Sequence, residues 1–144
     1  IHTGSACGVV SRLLDMGLEP YLLAGALRGV LNQRLVRRLC VACRQHVSGE
    51  VWSAVGCEQC AGIGYRGRVL LSEYLHQGDT FRKAILARGT NEDLEAAAGM
   101  DRDSLSQASQ QAIQQGLTTP EEIHRVLGSR TMIQPSCPSR VEEP

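Results

Sequence analysis

Lysine is almost absent from this sequence, since Lys83 is the only one among 144 residues. It stands in the segment Phe81-Arg82-Lys83-Ala84, which has no glycine loop before it, so the chain has no phosphate-binding loop of the form Gly-x-x-x-x-Gly-Lys-Ser/Thr. The Gly-x-Ser-x-Gly turn of serine hydrolases and the His-Glu-x-x-His helix of zinc proteases are also missing. The sequence therefore contains no recognisable catalytic set of its own.

The chain also has few aromatic residues, no net charge and no long apolar run. Aromatic residues make up 3% of the chain, so a core must depend on Leu, Val, Ile and Ala. Fifteen basic residues balance fifteen acidic ones, which argues against broad binding to nucleic acid or to a membrane surface. No apolar run is long enough to span a bilayer, and no secretory signal is present. Six cysteines without such a signal predict a reducing, cytoplasmic location.

The strongest motif that is present consists of two Cys-x-x-Cys pairs. Cys40 and Cys43 form the first pair, Cys57 and Cys60 form the second, and thirteen residues lie between the two pairs. Each pair places two thiolates on one tight turn, and two such turns supply the four ligands of a closed tetrahedral site. Thiolates favour Zn²⁺ over Mg²⁺ or Ca²⁺, and four sulfurs leave no position open for a substrate. The motif therefore predicts a structural zinc site, although its spacing is slightly shorter than the usual gap of about 15–20 residues.

Two other interpretations of the four cysteines stay open at this point, namely two disulfides and an iron–sulfur cluster. Gly62 and Gly64, which follow the second pair, favour a metal because glycines allow backbone N–H groups to turn toward the sulfurs. Five arginines flank the pairs and either offset the charge of the thiolates or form a solvated face. They are Arg37, Arg38, Arg44, Arg66 and Arg68.

Hydrophobic periodicity predicts an α+β fold that is mostly helical. One helix is predicted around Val9–Leu14, and a second helix begins at Pro20 and runs to Leu31. Strands are predicted over Gln33–Leu39 and Gly67–Leu75, although the first of these segments also fits an extension of the second helix. These strands either pair with each other beside the cysteine motif or join a larger sheet.

The pattern after residue 79 is helical, with four predicted starts. Asp79 or Thr80, Thr90, Asp103 or Ser104, and Thr119 are the candidate caps. Thr119 is followed by Pro120 and two acidic residues, which is typical of a first helical turn. Residues 129–144 have no periodicity and are predicted to be a disordered tail.

Several segments in a fixed order resemble one known family. They are Ile1-His2-Thr3, Ser11–Pro20 (SRLLDMGLEP), Leu27–Cys40 (LRGVLNQRLVRRLC), Cys57–Arg68 (CEQCAGIGYRGR) and Gly116–Ile123 (GLTTPEEI). Together they resemble the C-terminal part of the type II secretion and type IV pilus assembly ATPases, the GspE/PilB-like family. The likeness covers about residues 1–128.

This resemblance implies a C-terminal fragment of a hexameric, RecA-like P-loop ATPase. Such an ATPase would use ATP and Mg²⁺, act at the cytoplasmic side of the inner membrane through secretion or pilus platform proteins, and bind no nucleic acid. The implied divisions are the end of the ATPase core (1–39), the tetracysteine zinc knuckle (40–67), a returning strand with a helical subdomain (68–128) and the tail (129–144). The chain does not begin with Met and its phosphate loop would lie upstream, so the fragment alone is expected to be inactive.

Of the family's nucleotide-site elements only His2, at the end of the His box, is implied to be present. Gly4-Ser5 stands where the family usually has Asn-Asp. The resemblance does not distinguish protein secretion from pilus assembly.

Two other functions fit parts of the sequence. The stretch Cys57–Gly64 fits the CxxCxGxG repeat of DnaJ-like zinc modules, but that repeat normally occurs four times and is found here once. A zinc-ribbon nucleic-acid binder is supported by the arginines near the cysteines and opposed by the zero net charge and the few aromatic residues.

Overall fold

A computed structural model describes residues 3–49, 51–99 and 102–128. For residues 102–103 it describes the backbone alone. His2, Cys137 and the predicted tail at 129–144 lie outside the described residues.

Helices and strands alternate irregularly along the described chain. The helices are α1 (Ala6–Asp15), α2 (Pro20–Ala26), α3 (Asp79–Leu86), α4 (Asn91–Ala98), α5 (Leu105–Gln114) and α6 (Pro120–Leu127). The strands are β1 (Gly29–Leu39), β2 (Gln45–Ser48), β3 (Val51–Ser53), β4 (Tyr65–His76) and β5 (Arg102–Asp103). The prediction of a mixed α and β fold is thus confirmed for the residues that the structure describes.

A long two-stranded ribbon forms the centre of the fold. β1 and β4 run antiparallel, from the pair Gly29–His76 at one end to the pair Leu39–Tyr65 at the other. β5 adds a short third strand beside β4, so the sheet order is β1-β4-β5. Both predicted strands are confirmed, they pair with each other, and each is longer than its pattern indicated.

The predicted second helix is wrong beyond Ala26. Leu27 already has an extended backbone with ψ 133°, and β1 begins two residues later. Val30 and Leu31 therefore belong to the strand, where they pair with Leu75 and Tyr74. The error has a physical cause, because a short apolar run fits a buried strand as well as a helix.

Most of the predicted helix starts are confirmed. The side chains of Ser104, Thr90 and Thr119 each accept a hydrogen bond from a backbone N–H in the first turn of their helix. The start of α3 differs, because Gly78 is the N-cap residue and Asp79 is already helical. Without a side-chain cap at this position, the pattern of capping residues could not find the boundary.

The sequence analysis also missed the hairpin formed by β2 and β3, which connects the two cysteine pairs. All four residues of β2 are exposed. A strand without a buried face shows no apolar alternation, so no periodicity predicts it.

Two hydrophobic clusters lie at opposite ends of the ribbon. The larger one packs α1, α2, α3 and α4 on the end of the ribbon near Val30 and Leu75. The smaller one packs α5 and α6 on Val36 and Leu71, nearer to the cysteines. The cysteine motif therefore projects from the end of the ribbon that the last two helices cover.

Candidate metal centre

The two cysteine pairs are held in tight turns that begin where the ribbon ends. Cys40 follows β1 directly, and its backbone N–H donates to the carbonyl of Gly64 at 2.9 Å. The carbonyl of Cys40 accepts hydrogen bonds from the N–H groups of Cys43 and Arg44. The second pair forms a single 3₁₀ turn over Glu58–Cys60 with Cys57 as its cap. The ribbon thus brings the two turns face to face.

The four sulfurs converge on one point. All four Sγ atoms lie within 4.8 Å of one another. The separation is 3.9 Å between Cys40 and Cys57, and 3.8 Å between Cys60 and each of Cys43 and Cys57. A tetrahedral ion with bonds of about 2.3 Å to sulfur places its ligands about 3.8 Å apart. The cluster therefore has the dimensions of a four-thiolate site and could hold a metal ion.

These distances do not fit a disulfide framework. None of the four cysteines forms a disulfide in the structure, and the Sγ separations far exceed an S–S bond of about 2.05 Å. Cys40 and Cys60 are buried, and Cys43 and Cys57 are half-buried. Four convergent sulfurs with restricted access to water suit a closed site better than a catalytic one.

Backbone N–H groups donate to the sulfurs, as the glycines predicted. Gly64 and Cys57 donate to Sγ of Cys60, both at 3.2 Å, and Gly56 donates to Sγ of Cys43 at 3.3 Å. Gly56 has φ +108°, and a Cβ there would lie 2.4 Å from the carbonyl oxygen of Gly62. A glycine is therefore required at position 56 for the turn to close. Such N–H donors stabilise sulfurs that carry negative charge.

Two of the thiols have opposite shifts in pKa. Burial raises the pKa of Cys43 to about 12, although the N–H of Gly56 opposes this. Burial also favours a higher pKa for Cys60. Hydrogen bonds from the N–H groups of Cys57 and Gly64, and with the thiols of Cys57 and Cys43, outweigh burial and lower the pKa to about 6. Of these two thiols, Cys60 thus becomes a thiolate more readily, and a metal that binds all four sulfurs must displace the protons that remain.

The five flanking arginines do not act on the sulfurs directly. Among the described residues, the hydrogen bonds to the four sulfurs come from backbone N–H groups and neighbouring thiols, and none comes from an arginine side chain. Arg37 lies over the ring of Tyr65, 4.3 Å from its centroid, and Arg44 lies over the ring of Trp52 at 4.6 Å. The arginines with described partners therefore connect the motif to the rest of the fold.

Other residues singled out in the sequence lie elsewhere. Lys83 is exposed in the middle of α3. Cys7 is buried in the larger core cluster, where its Sγ lies 3.7 Å from the carbonyl oxygen of Leu94. His2 falls outside the described residues. None of the described helices combines the length and apolarity needed to cross a membrane.

Comparison with known proteins indicates the same family as the order of the sequence motifs. A family model described as type II/IV secretion system protein matches residues 1–125. Type II secretion system protein HxcR of Pseudomonas aeruginosa is 44% identical over 127 residues, which cover 88% of this chain and 27% of that protein. Type II secretion system protein E of Klebsiella pneumoniae is 40% identical over 141 residues, covering 88% of this chain and 28% of that protein.

A pilus protein is similar over the same region. Type IV pilus assembly ATPase PilB of Thermus thermophilus is 34% identical over 142 residues, which cover 85% of this chain and 16% of that protein. The chain spans 27–28% of the two secretion relatives and a smaller share of the pilus protein. Because the family model matches most of the chain and the relatives cover the same stretch, the chain belongs to the type II/IV secretion system protein family.

Proposed function

We propose that this chain is the C-terminal region of a secretion or pilus-assembly ATPase, in which Cys40, Cys43, Cys57 and Cys60 hold one structural Zn²⁺. The observation that carries the metal assignment is the convergence of four Sγ atoms within 4.8 Å. Zinc fits this site because thiolates are soft ligands and because tetrahedral geometry is usual for zinc. Four protein ligands leave no position for a substrate, so the role of the ion is to hold the two turns together.

The ATPase assignment is supported by the names of the relatives. The matched proteins include type II secretion system ATPase E of Vibrio cholerae and the pilus assembly ATPase of Thermus thermophilus. The parent protein would hydrolyse ATP with Mg²⁺ in a RecA-like core, work as a hexamer, and act on the cytoplasmic side of the inner membrane with platform proteins. His2 is the residue of this chain that would lie nearest to the nucleotide. Secretion and pilus assembly are equally compatible with the relatives.

The exposed surface of the ribbon supports the proposal of a larger core. Among the described strands, none pairs with β1 on the side away from β4. Leu31, Leu35, Leu70 and Tyr74 are each at least 45% exposed, and the register pairs Leu31 with Tyr74 and Leu35 with Leu70 across the ribbon. Large apolar side chains in one row beside an open strand edge are typical of a surface that other protein covers.

Two experiments test the proposal. Metal analysis of the purified chain should find one zinc per chain, and a Cys43→Ser variant should lose it, whereas Ser48→Ala in the exposed hairpin should keep it. The metal centre would be disproved if the purified chain contained no metal, had all four of these thiols free to react, and kept its fold.

The second experiment measures ATP hydrolysis. This chain should show no turnover, because Lys83 has no glycine loop to hold phosphates. A polypeptide with the full length of the relatives should hydrolyse ATP, and its failure to do so would disprove the ATPase assignment without affecting the metal centre.

A further inference from the structure

The hairpin between the two cysteine pairs packs on the turn between α5 and α6. Gly116 lies at this turn with φ +64°, and a Cβ there would lie only 2.8 Å from Nε1 of Trp52 and 2.9 Å from Cδ1. The indole therefore lies flat against the backbone of Gly116. The ring of His46 contacts the indole edge-on, with centroids 5.1 Å apart.

Arg44 links this packing to the cysteine turn. Its backbone N–H donates to the carbonyl of Cys40 at 2.9 Å, so its main chain is part of the first Cys-x-x-Cys turn. Its guanidinium lies 4.6 Å from the ring centroid of Trp52, and Nη1 donates to the carbonyl of Gly116 at 2.5 Å. The backbone of Arg44 thus forms part of the first cysteine turn, whereas its side chain contacts the turn between α5 and α6.

The same turn is held from the end of β1. The N–H of Leu39, the residue before Cys40, donates to the carbonyl of Leu117 at 2.8 Å. Further along, Thr118 and Glu122 bind Arg37, which lies within the ribbon three residues before the first cysteine. The contacts of Gly116 therefore depend on Arg44 and the hairpin, whereas the contacts of residues 117–122 depend on the ribbon.

We propose that the hairpin with Arg44 is a metal-dependent clasp, which holds the turn between α5 and α6 only while the four cysteines bind their ion. This inference depends on the zinc site proposed above. Loss of the metal frees the Cys40–Arg44 turn, which withdraws the guanidinium from Gly116 and the indole from the helix turn. α6 stays attached through Arg37 and Glu122, and Leu117 stays bound to Leu39, so the release is local to Gly116 and the hairpin.

The chain carries its own probe for this release, because Trp52 is its only tryptophan. Removing the metal with a chelator should shift the emission of Trp52 to longer wavelength, since the indole passes from a half-buried site into water. Amide exchange at Gly116, whose N–H donates to the carbonyl of Ile113 at the end of α5, should become about 5–30-fold faster, the change expected when a local contact of moderate strength is lost. Exchange at Arg37 should change less, because its N–H is held by Glu122.

A substitution that keeps the metal separates the clasp from the metal centre. Arg44→Gln should retain one zinc per chain and still show the red-shifted emission and the faster exchange at Gly116. Gly116→Ala should do the same, because the added Cβ would displace the indole. Arg38→Gln is the matched control, since this arginine is exposed and also lies close to Cys40.

The outcomes distinguish the two proposals. If chelation removes zinc but leaves the emission of Trp52 and the exchange at Gly116 unchanged, the clasp is disproved and the metal centre stands. If Arg44→Gln with zinc bound behaves like the unsubstituted chain, Arg44 does not transmit the effect and the clasp is likewise disproved. If the chain binds no zinc at all, both the metal centre and the metal dependence of the clasp fail.

Discussion

Glu122 in α6 and Arg37 in β1 are joined by three hydrogen bonds. Oε1 accepts from the backbone N–H of Arg37 at 2.9 Å, and Oε2 accepts from Nε and Nη2 of the same residue at 2.9 and 2.7 Å. The carboxylate is buried and also accepts two hydrogen bonds from Arg125, one helical turn further on. A single acidic side chain thus binds the last helix to the edge of the ribbon.

Replacing Glu122 with Gln should destabilise the chain. The carboxylate accepts five hydrogen bonds, whereas the neutral amide has one acceptor oxygen and an NH₂ group that can only donate. Both arginines therefore lose a charged partner and part of their hydrogen bonding. We expect a loss of roughly 1–3 kcal/mol in the free energy of unfolding, measured by denaturant titration. Glu121→Gln, which makes the same change at the exposed neighbouring position, should cost little. Equal losses for the two variants would show that the contact with Arg37 contributes nothing specific.

The same carboxylate should make stability depend on pH in the acid range. Hydrogen bonds from Arg125, opposed by burial and helped by those from Arg37, lower the pKa of Glu122 from 4.5 to about 2. A group whose pKa is lowered in the folded state stabilises the fold above its unfolded value, and this contribution is lost as pH falls from about 4.5 toward about 2. Unfolding measured across this range should therefore show a steeper acid loss in the unsubstituted chain than in Glu122→Gln. Parallel pH profiles would contradict the assignment.

The sequence showed Glu122 only as an acid in the first turn of a helix, which was sufficient to predict the helix start at Thr119. Its partner lies 85 residues away, and no local pattern indicates such a pairing. The local sequence pattern therefore predicted the helix start, whereas the long-range partner of Glu122 could not be predicted.

The same contrast applies to the candidate metal centre. The spacing of the four cysteines predicted their convergence, because each pair is constrained by its own tight turn. The hairpin with Trp52 was missed because exposed strands carry no periodic signal. The boundary between α2 and β1 was also missed, since the apolar residues from Leu22 to Leu31 fit a continuous helix and the pairing of Val30 with Leu75 depends on a strand 45 positions later.

Glu73 is a second buried acid whose removal should be costly. It lies opposite Asn32 in the ribbon, and its Oε2 accepts from the backbone N–H of Ala6 at 2.9 Å and from Nδ2 of Asn32 at 3.0 Å. Glu73→Ala leaves these buried donors without that acceptor, so we expect a loss of at least about 1–3 kcal/mol in the free energy of unfolding. Glu92→Ala on the exposed face of α4 is the control. Amide exchange should show the loss first at Ala6, and unchanged protection there would argue against this contact.

The last prediction concerns self-association of the isolated chain. The helix predicted from Pro20 to Leu31 contains the apolar residues Leu22, Leu23, Leu27, Val30 and Leu31. In the structure Leu23 and Val30 are buried, whereas Leu22 and Leu31 are exposed. Leu31 lies in an exposed row on the ribbon with Leu35, Leu70 and Tyr74. Because this row borders an open strand edge, we expect it to drive concentration-dependent association without a closed ring.

Replacing Leu35 and Leu70 together with Thr should reduce this association. Threonine has the β-branched shape that strands favour, so the ribbon should remain folded while its surface becomes more polar. Sedimentation across a concentration series should show the double variant closer to a monomer than the unsubstituted chain. Val41→Thr with Ile63→Thr, which changes two exposed apolar residues beside the cysteines, should leave the association unchanged. A stable hexamer of the unsubstituted chain at low concentration would instead place the ring contacts within these 144 residues and contradict the prediction.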